Sequence, residues 1–279
     1  AMLRVLFVCF VFFGPLLVVG QVNNFTCVNY PVVKPSEVVH QYTLGETLVN
    51  ITTYTQPDSN GNVGLYSFIN LHENENTSVV AAKALIYQKG GGSITFLQHG
   101  GTRDIAFTFN GVDYSIDPNR MFTYPGLEAN LQPFNEAAAL LVLEFSQTVL
   151  DIYNFNAQSI VLALHNNSPS YSALDYLPGG VYANDAEKVH IGKLFIPRDF
   201  FYIANGLVGN QMYNCLTGED LTAVLQVPYI GPNSTLTDDG SLSVYSAMHG
   251  KPYVNTECAA ASGSQGTAVI NQLILLDHL

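Results

Sequence analysis

Tryptophan is absent from the 279 residues, and cations are few: ten Lys and Arg stand against 22 Asp and Glu, a formal net charge of −12. A surface so depleted in positive charge has no electrostatic footprint for nucleic acid or for an anionic membrane, which excludes both as partners. Only 11% of the residues are charged, so histidines and carboxylates standing close together call for a reason. Cysteine is scarce too, at four residues whose spacing is not that of a zinc cluster. There is no internal repeat, no heptad run and no low-complexity tail. Beyond the first twenty residues no apolar run is long enough to span a bilayer, the closing "NQLILLDHL" included, so no stable membrane anchor is expected.

At the N-terminus, Arg4 precedes "VLFVCFVFFGPLLVVG", a short, proline-broken apolar run that gives way to polar sequence at Gln21. This pattern predicts a signal peptide over residues 1–20 and a secreted single domain over 21–279. Sequons at Asn24, Asn50, Asn76, Asn166 and Asn233 suit a secreted glycoprotein. Loss of the signal peptide removes Cys9 and leaves Cys27, Cys215 and Cys258, from which one disulfide and one spare thiol are expected; sequence does not choose the pair.

Along the rest of the chain, β-type and helical patterns alternate. "VGLYSFINL" predicts a buried strand, "TSVVAAKALIYQ" a helix closed by "KGGG", and "SITFLQH" a strand. "DIAFTFNGVDYSI" predicts two strands turning at Asn110-Gly111, "EAAALLVLEFSQTVLDIY" a long helix and "SIVLALH" another buried strand. Further on, "DFFYIA" predicts a strand, "NGLVGNQMYNCL" a helix, "TAVLQV" a strand, "GSLSVYSAMHG" a short helix and "PYVNTEC" a last strand. The order implies a single-domain three-layer α/β/α sandwich with a mixed, mostly parallel sheet, and in such sheets ligands bind beyond the carboxyl ends of the strands.

Polar residues stand at those ends. "HENE" follows the first strand, His165 ends "SIVLALH", and Glu257 ends "PYVNTE". His72 and Glu75, at H-x-x-E spacing on a strand-to-helix corner, have two readings. Glu75 can cap the following helix with His72 at the surface, or the pair can join His165 in a His, Glu, His set that leaves a fourth zinc position open to water. His99 competes with His165 for the third place.

The segment "DPNRMF", Asp117 to Phe122, brings in a resemblance: with "HENE", His165 and "YVNTEC", it is similar to the zinc metallocarboxypeptidase superfamily, above all its aspartoacylase and succinylglutamate desuccinylase branch. The resemblance implies zinc on His72, Glu75 and His165, a substrate carboxylate on Asn119 and Arg120, and Glu257 as the base that activates water. It also implies Arg103 as oxyanion stabiliser, although a salt bridge at a strand edge explains that arginine equally well. The activity so implied is hydrolysis of an amide beside a free carboxylate, in a peptide C-terminus or an N-acyl amino acid. An inactive, binding-only relative is the alternative. Two departures stand out: Glu73 occupies a position where that branch has Gly, and is expected to place negative charge beside the metal. "NN" follows His165, and glycans on Asn76 or Asn166 would block the site. Tyr229 and Tyr245 are candidates for a catalytic tyrosine. Oligomeric state is left open.

Overall fold

The computed structural model describes residues 34–58, 60–64, 66–167, 171–193, 200–231 and 234–259; the expected signal peptide, Asn24, Cys27, Asn233 and His278 lie outside them. The first elements are a hairpin, β1 (Ser36–Leu44) and β2 (Thr47–Gln56), that turns at Gly45 and Glu46. β3 (Ser67–Asn70) leads through a 3-10 turn at Glu73–Glu75 into α1 (Asn76–Lys89), and β4 (Gly92–Gln98) follows. β5 (Ile105–Phe109) and β6 (Val112–Ile116) form a separate ribbon turned, as the Asn-Gly pair predicts, at Asn110 and Gly111. Then come α2 (Tyr124–Asn130), α3 (Glu136–Tyr153), β7 (Val161–Asn167), β8 (Ala186–His190), β9 (Phe200–Ala204), α4 (Asn210–Gly218), β10 (Ala223–Gln226), α5 (Leu242–Met248) and β11 (Tyr253–Ala259).

Nine strands make one mixed sheet in the order β1-β2-β4-β3-β7-β11-β9-β10-β8. Pairing is parallel from β4 through β3 and β7 to β11, and again between β9 and β10, and antiparallel elsewhere. Side chains alternate across a strand, and the alternation sorts two cores. Ile69, Val161, Ala163 and Tyr253 face α3 and the start of α5, with Val142, Phe145 and Leu242. Phe68, Leu162, Leu164 and Val254 face the other way, against Ala82, Leu85 and Ile86 of α1 and Leu216 of α4. Helices therefore cover both faces, as the expected three-layer sandwich requires.

The parity continues past the cores. His165 falls on the face of Val161 and Ala163, and Asn255 and Glu257 on the face of Tyr253. Because β7 and β11 run parallel with Glu257 opposite His165, both side chains emerge together at the carboxyl end of the sheet. β3, parallel to β7 with Ile69 opposite Ala163, brings His72 to the same end.

Candidate metal centre

Glu75 stands one residue before α1, where a carboxylate commonly caps a helix, yet its side chain makes no capping hydrogen bond. Asn166 caps α1 instead, from the end of β7: its Oδ1 accepts from Ser78 N at 3.1 Å and from the Thr77 hydroxyl at 2.5 Å. Glu75 is thereby released to turn inward. Its Oε1 lies 3.0 Å from His72 Nδ1, and its Oε2 lies 3.2 Å from His165 Nδ1 while accepting from Asn166 N at 3.0 Å.

His72, Glu75 and His165 are all buried, at 0%, 3% and 6% exposure, and the imidazole rings stand 5.2 Å apart. One donor atom from each lies within 4.8 Å of the others. His72 Nδ1 and His165 Nε2 have no hydrogen-bond partner among the described residues. The 3.0 Å contact between His72 and Glu75 is therefore an ionic contact not aligned as a hydrogen bond. Buried, unpartnered nitrogen beside a carboxylate is what a cation site needs. Two nitrogens and one oxygen form a donor set suited to zinc, with a fourth position left for water.

Asp117, from "DPNRMF", holds this group from behind. Its Oδ1 lies 2.8 Å from His72 Nε2 and also accepts from Asn119 N at 2.8 Å. A carboxylate on one imidazole nitrogen fixes the ring so that the other faces the ion. Sequence reading gave Asp117 no role of its own.

The charges answer to one another. Burial opposes the cationic form of His72, but Glu75 and Asp117 outweigh it and push its pKa up to about 9. Burial likewise works against the Glu75 carboxylate, and His72 and His165 overcome it, down to about 2. Asp117 is held below the ordinary carboxylate range, burial being outweighed by His72 and Arg103. His165 is kept neutral, chiefly by burial. Glu257, 7% exposed, is pushed up to about 8 by burial and by Glu75, while Asn255 Nδ2 donates to its Oε1 at 2.6 Å.

Arg103 bridges two of these acids: Nη1 lies 3.0 Å from Glu75 Oε1 and Nη2 3.1 Å from Asp117 Oδ2, with the side chain half exposed. Its ion pairs are thus with carboxylates of the site, and Asp104 is not among them. Asn119 and Arg120 are engaged elsewhere. Asn119 Oδ1 accepts from Leu242 N at 3.1 Å, and Arg120 contacts Asp239 at 3.5 Å and its neighbour's carbonyl at 2.8 Å.

Some expectations need correction. Glu73 does not face the metal centre; its carboxylate takes the backbone N–H groups of His99, Gly100 and Gly101. His99 is not part of the ligand group. Tyr229 and Tyr245 line a cavity of about 940 Å³ bounded by Phe122, Leu143, Leu207 and Met248, which contains none of the ligand residues. Tyr245 is stacked on His249 at 4.0 Å. Tyr171 and Tyr176 both pack on Phe201, the residue opposite Glu257 on β9, and Tyr171 feels the Glu257 charge. Burial and that charge both raise its pKa. No disulfide joins Cys215, exposed on α4, to Cys258, buried on β11; Cys27 lies outside the described residues. Among the described residues no helix is long and apolar enough to cross a membrane.

Neither family models nor curated proteins match the chain by sequence. Among solved structures, it overlays on an aspartoacylase family protein from Mesorhizobium loti with 14% identity and a TM-score of 0.43, over 90% of this chain and 69% of that one. A succinylglutamate desuccinylase from Silicibacter gives 13% and 0.44, over 89% and 67%. The product-bound ectoine utilization protein EutE from Ruegeria pomeroyi gives 13% and 0.46, over 89% and 67%. With every one of these scores below 0.5, the weight rests on the side chains of the site itself.

Proposed function

We propose that this chain is a zinc-dependent hydrolase that cleaves an amide bond next to a free carboxylate. The observation that carries the reading is the buried His72, Glu75 and His165 group with Glu257 directly opposite His165. His72, Glu75 and His165 would hold a zinc ion, which would act as a Lewis acid and activate water for attack.

The protein groups have matching tasks. Glu257, ionised, accepts a proton from the attacking water and returns it to the departing nitrogen. Asn255 fixes one oxygen of Glu257 and so orients the other. Arg103, half exposed beside Glu75, places positive charge where the carbonyl oxygen becomes negative. Arg120 receives the substrate carboxylate by exchanging it for Asp239, a partner at 3.5 Å in a half-exposed pair that contributes at most about 1 kcal/mol. The substrate is a short peptide C-terminus or an N-acyl amino acid, and the setting is extracellular.

Glu257→Gln tests the assignment. Hydrolysis is expected to fall by about a hundredfold or more with zinc content unchanged. Undiminished hydrolysis in that variant would exclude Glu257 as the base and, with it, this mechanism.

A further inference from the structure

The loop between β4 and β5 carries Arg103, and it has little of its own to hold it. Among the described residues, positions 99–104 make no backbone–backbone hydrogen bond. The anchor is a side chain from elsewhere: Glu73 Oε2 accepts from Gly100 N and Gly101 N, each at 2.7 Å, and from His99 N. Three successive N–H groups converge on one oxygen because Gly100 and Gly101 take φ values of 122° and 80°, a region that side-chain-bearing residues avoid. Consecutive amides curled in this way form an anion nest. Here the anion is the protein's own.

We propose that Glu73 is a positioning residue: by filling this nest it holds the loop so that Arg103 spans Glu75 and Asp117. Glu73 sits in the turn between His72 and Glu75, so one short segment supplies two ligands and the clamp for the loop that carries the arginine. A guanidinium must meet two carboxylates, 3.0 and 3.1 Å away, and a loose loop would spread it over many positions. The nest neutralises the Glu73 charge locally and keeps the loop's amides from other anions. The catalytic consequence rests on the hydrolase reading above; the structural one does not.

The test compares the full-length wild type with Glu73→Gln, Glu73→Ala, Arg103→Ala and the Glu73→Ala, Arg103→Ala double variant. On metal-free protein, Glu73→Ala is expected to speed amide exchange at 99–101 by about tenfold or more. It should also merge the separately resolved Arg103 Nη–Hη signals of a clamped guanidinium into one averaged signal. Glu73→Gln, which keeps an acceptor oxygen and the side-chain size, should fall between, and it carries the test if the Ala variant does not fold. After zinc loading, with N-acetylated amino acids as probes, Glu73→Ala should lower kcat about tenfold with zinc content and KM held. The double variant should be no slower than Arg103→Ala alone. Wild-type exchange and wild-type Arg103 signals in Glu73→Ala would overturn the proposal, as would losses that multiply in the double variant. Absence of turnover in the wild type defeats the hydrolase reading instead, and the exchange and guanidinium readouts still decide the role of Glu73.

Discussion

Each imidazole nitrogen of His72 faces a carboxylate, Glu75 on one side and Asp117 on the other. Only Glu75 is free to share an ion with it, so the two acids should answer differently to mutation. A His72→Ala, Glu75→Ala double variant is expected to lose the zinc that the wild type retains, about one ion per chain by mass spectrometry of the purified protein. Asp117→Asn should still bind zinc but about 10- to 100-fold more weakly in a competition titration, because the ring loses its orienting charge. Equal affinity in Asp117→Asn and wild type would refute the backing role. The candidate metal group was legible in the sequence, since His72 and His165 are polar residues ending apolar strands and Glu75 follows His72 at H-x-x-E spacing; Glu257 was legible in the same way, at the end of another such strand. Asp117 was not, because its partner lies 45 residues away and its value comes wholly from the fold. A surface ion pair is an open reading of Arg120 in the sequence, but no local pattern announces Asp239 as its partner.

At the scale of elements, the turn from β3 into α1 explains why a metal ligand can sit where a cap belongs. Asn166 takes over the capping, and its Nδ2 also donates to Cys258 O at 3.3 Å, so β7, α1 and β11 are joined through one side chain. Asn166→Ala should therefore lower stability by about 1–2 kcal/mol, read as a shift in urea midpoint. Faster amide exchange in the first turn of α1 should accompany it, and an unchanged midpoint would mean that the helix start needs no cap. Asn166 should also carry no glycan in secreted material, because its amide is already committed. The central strands and α3 were readable because burial enforces apolar runs and helical spacing there. β1 and β8 were not: both lie at sheet edges, and β1 is exposed along most of its length. Edge residues are free to be polar or apolar, so no periodicity marks them. The expected helix from Asn205 begins only at Asn210, since Leu207 adopts a φ of 63°, outside helical geometry.

The whole molecule should register the same charges through its stability. His72 has a pKa of about 9 in the folded, metal-free chain, above its unfolded value, so the stability it contributes is complete below about pH 6.5 and is lost as pH rises toward 9. Glu257, raised to about 8, acts in the same sense: its contribution is complete below about pH 4.5 and fades as pH rises through 8. Glu75 acts oppositely, for its pKa of about 2 gives a contribution present above about pH 4.5 and lost on acidification toward 2. Together these three groups place maximal stability of the metal-free protein near pH 4.5, where Glu75 contributes in full and Glu257 has not begun to lose its share, with Tm falling by about 5 °C or more between pH 6.5 and 9, where Glu257 and His72 both lose theirs. Zinc bound at this group should reverse the alkaline limb, since His72 would have to lose its proton to bind it and the added positive charge would favour ionised Glu257. Zinc affinity should thus strengthen as pH rises from 6 to 8, protons should be released on binding, and the zinc-loaded protein should keep its Tm to higher pH. Calorimetric titration in buffers of different ionisation enthalpy, beside thermal melts with and without zinc, measures both. Zinc binding without proton release at pH 7 would show that His72 is not a ligand.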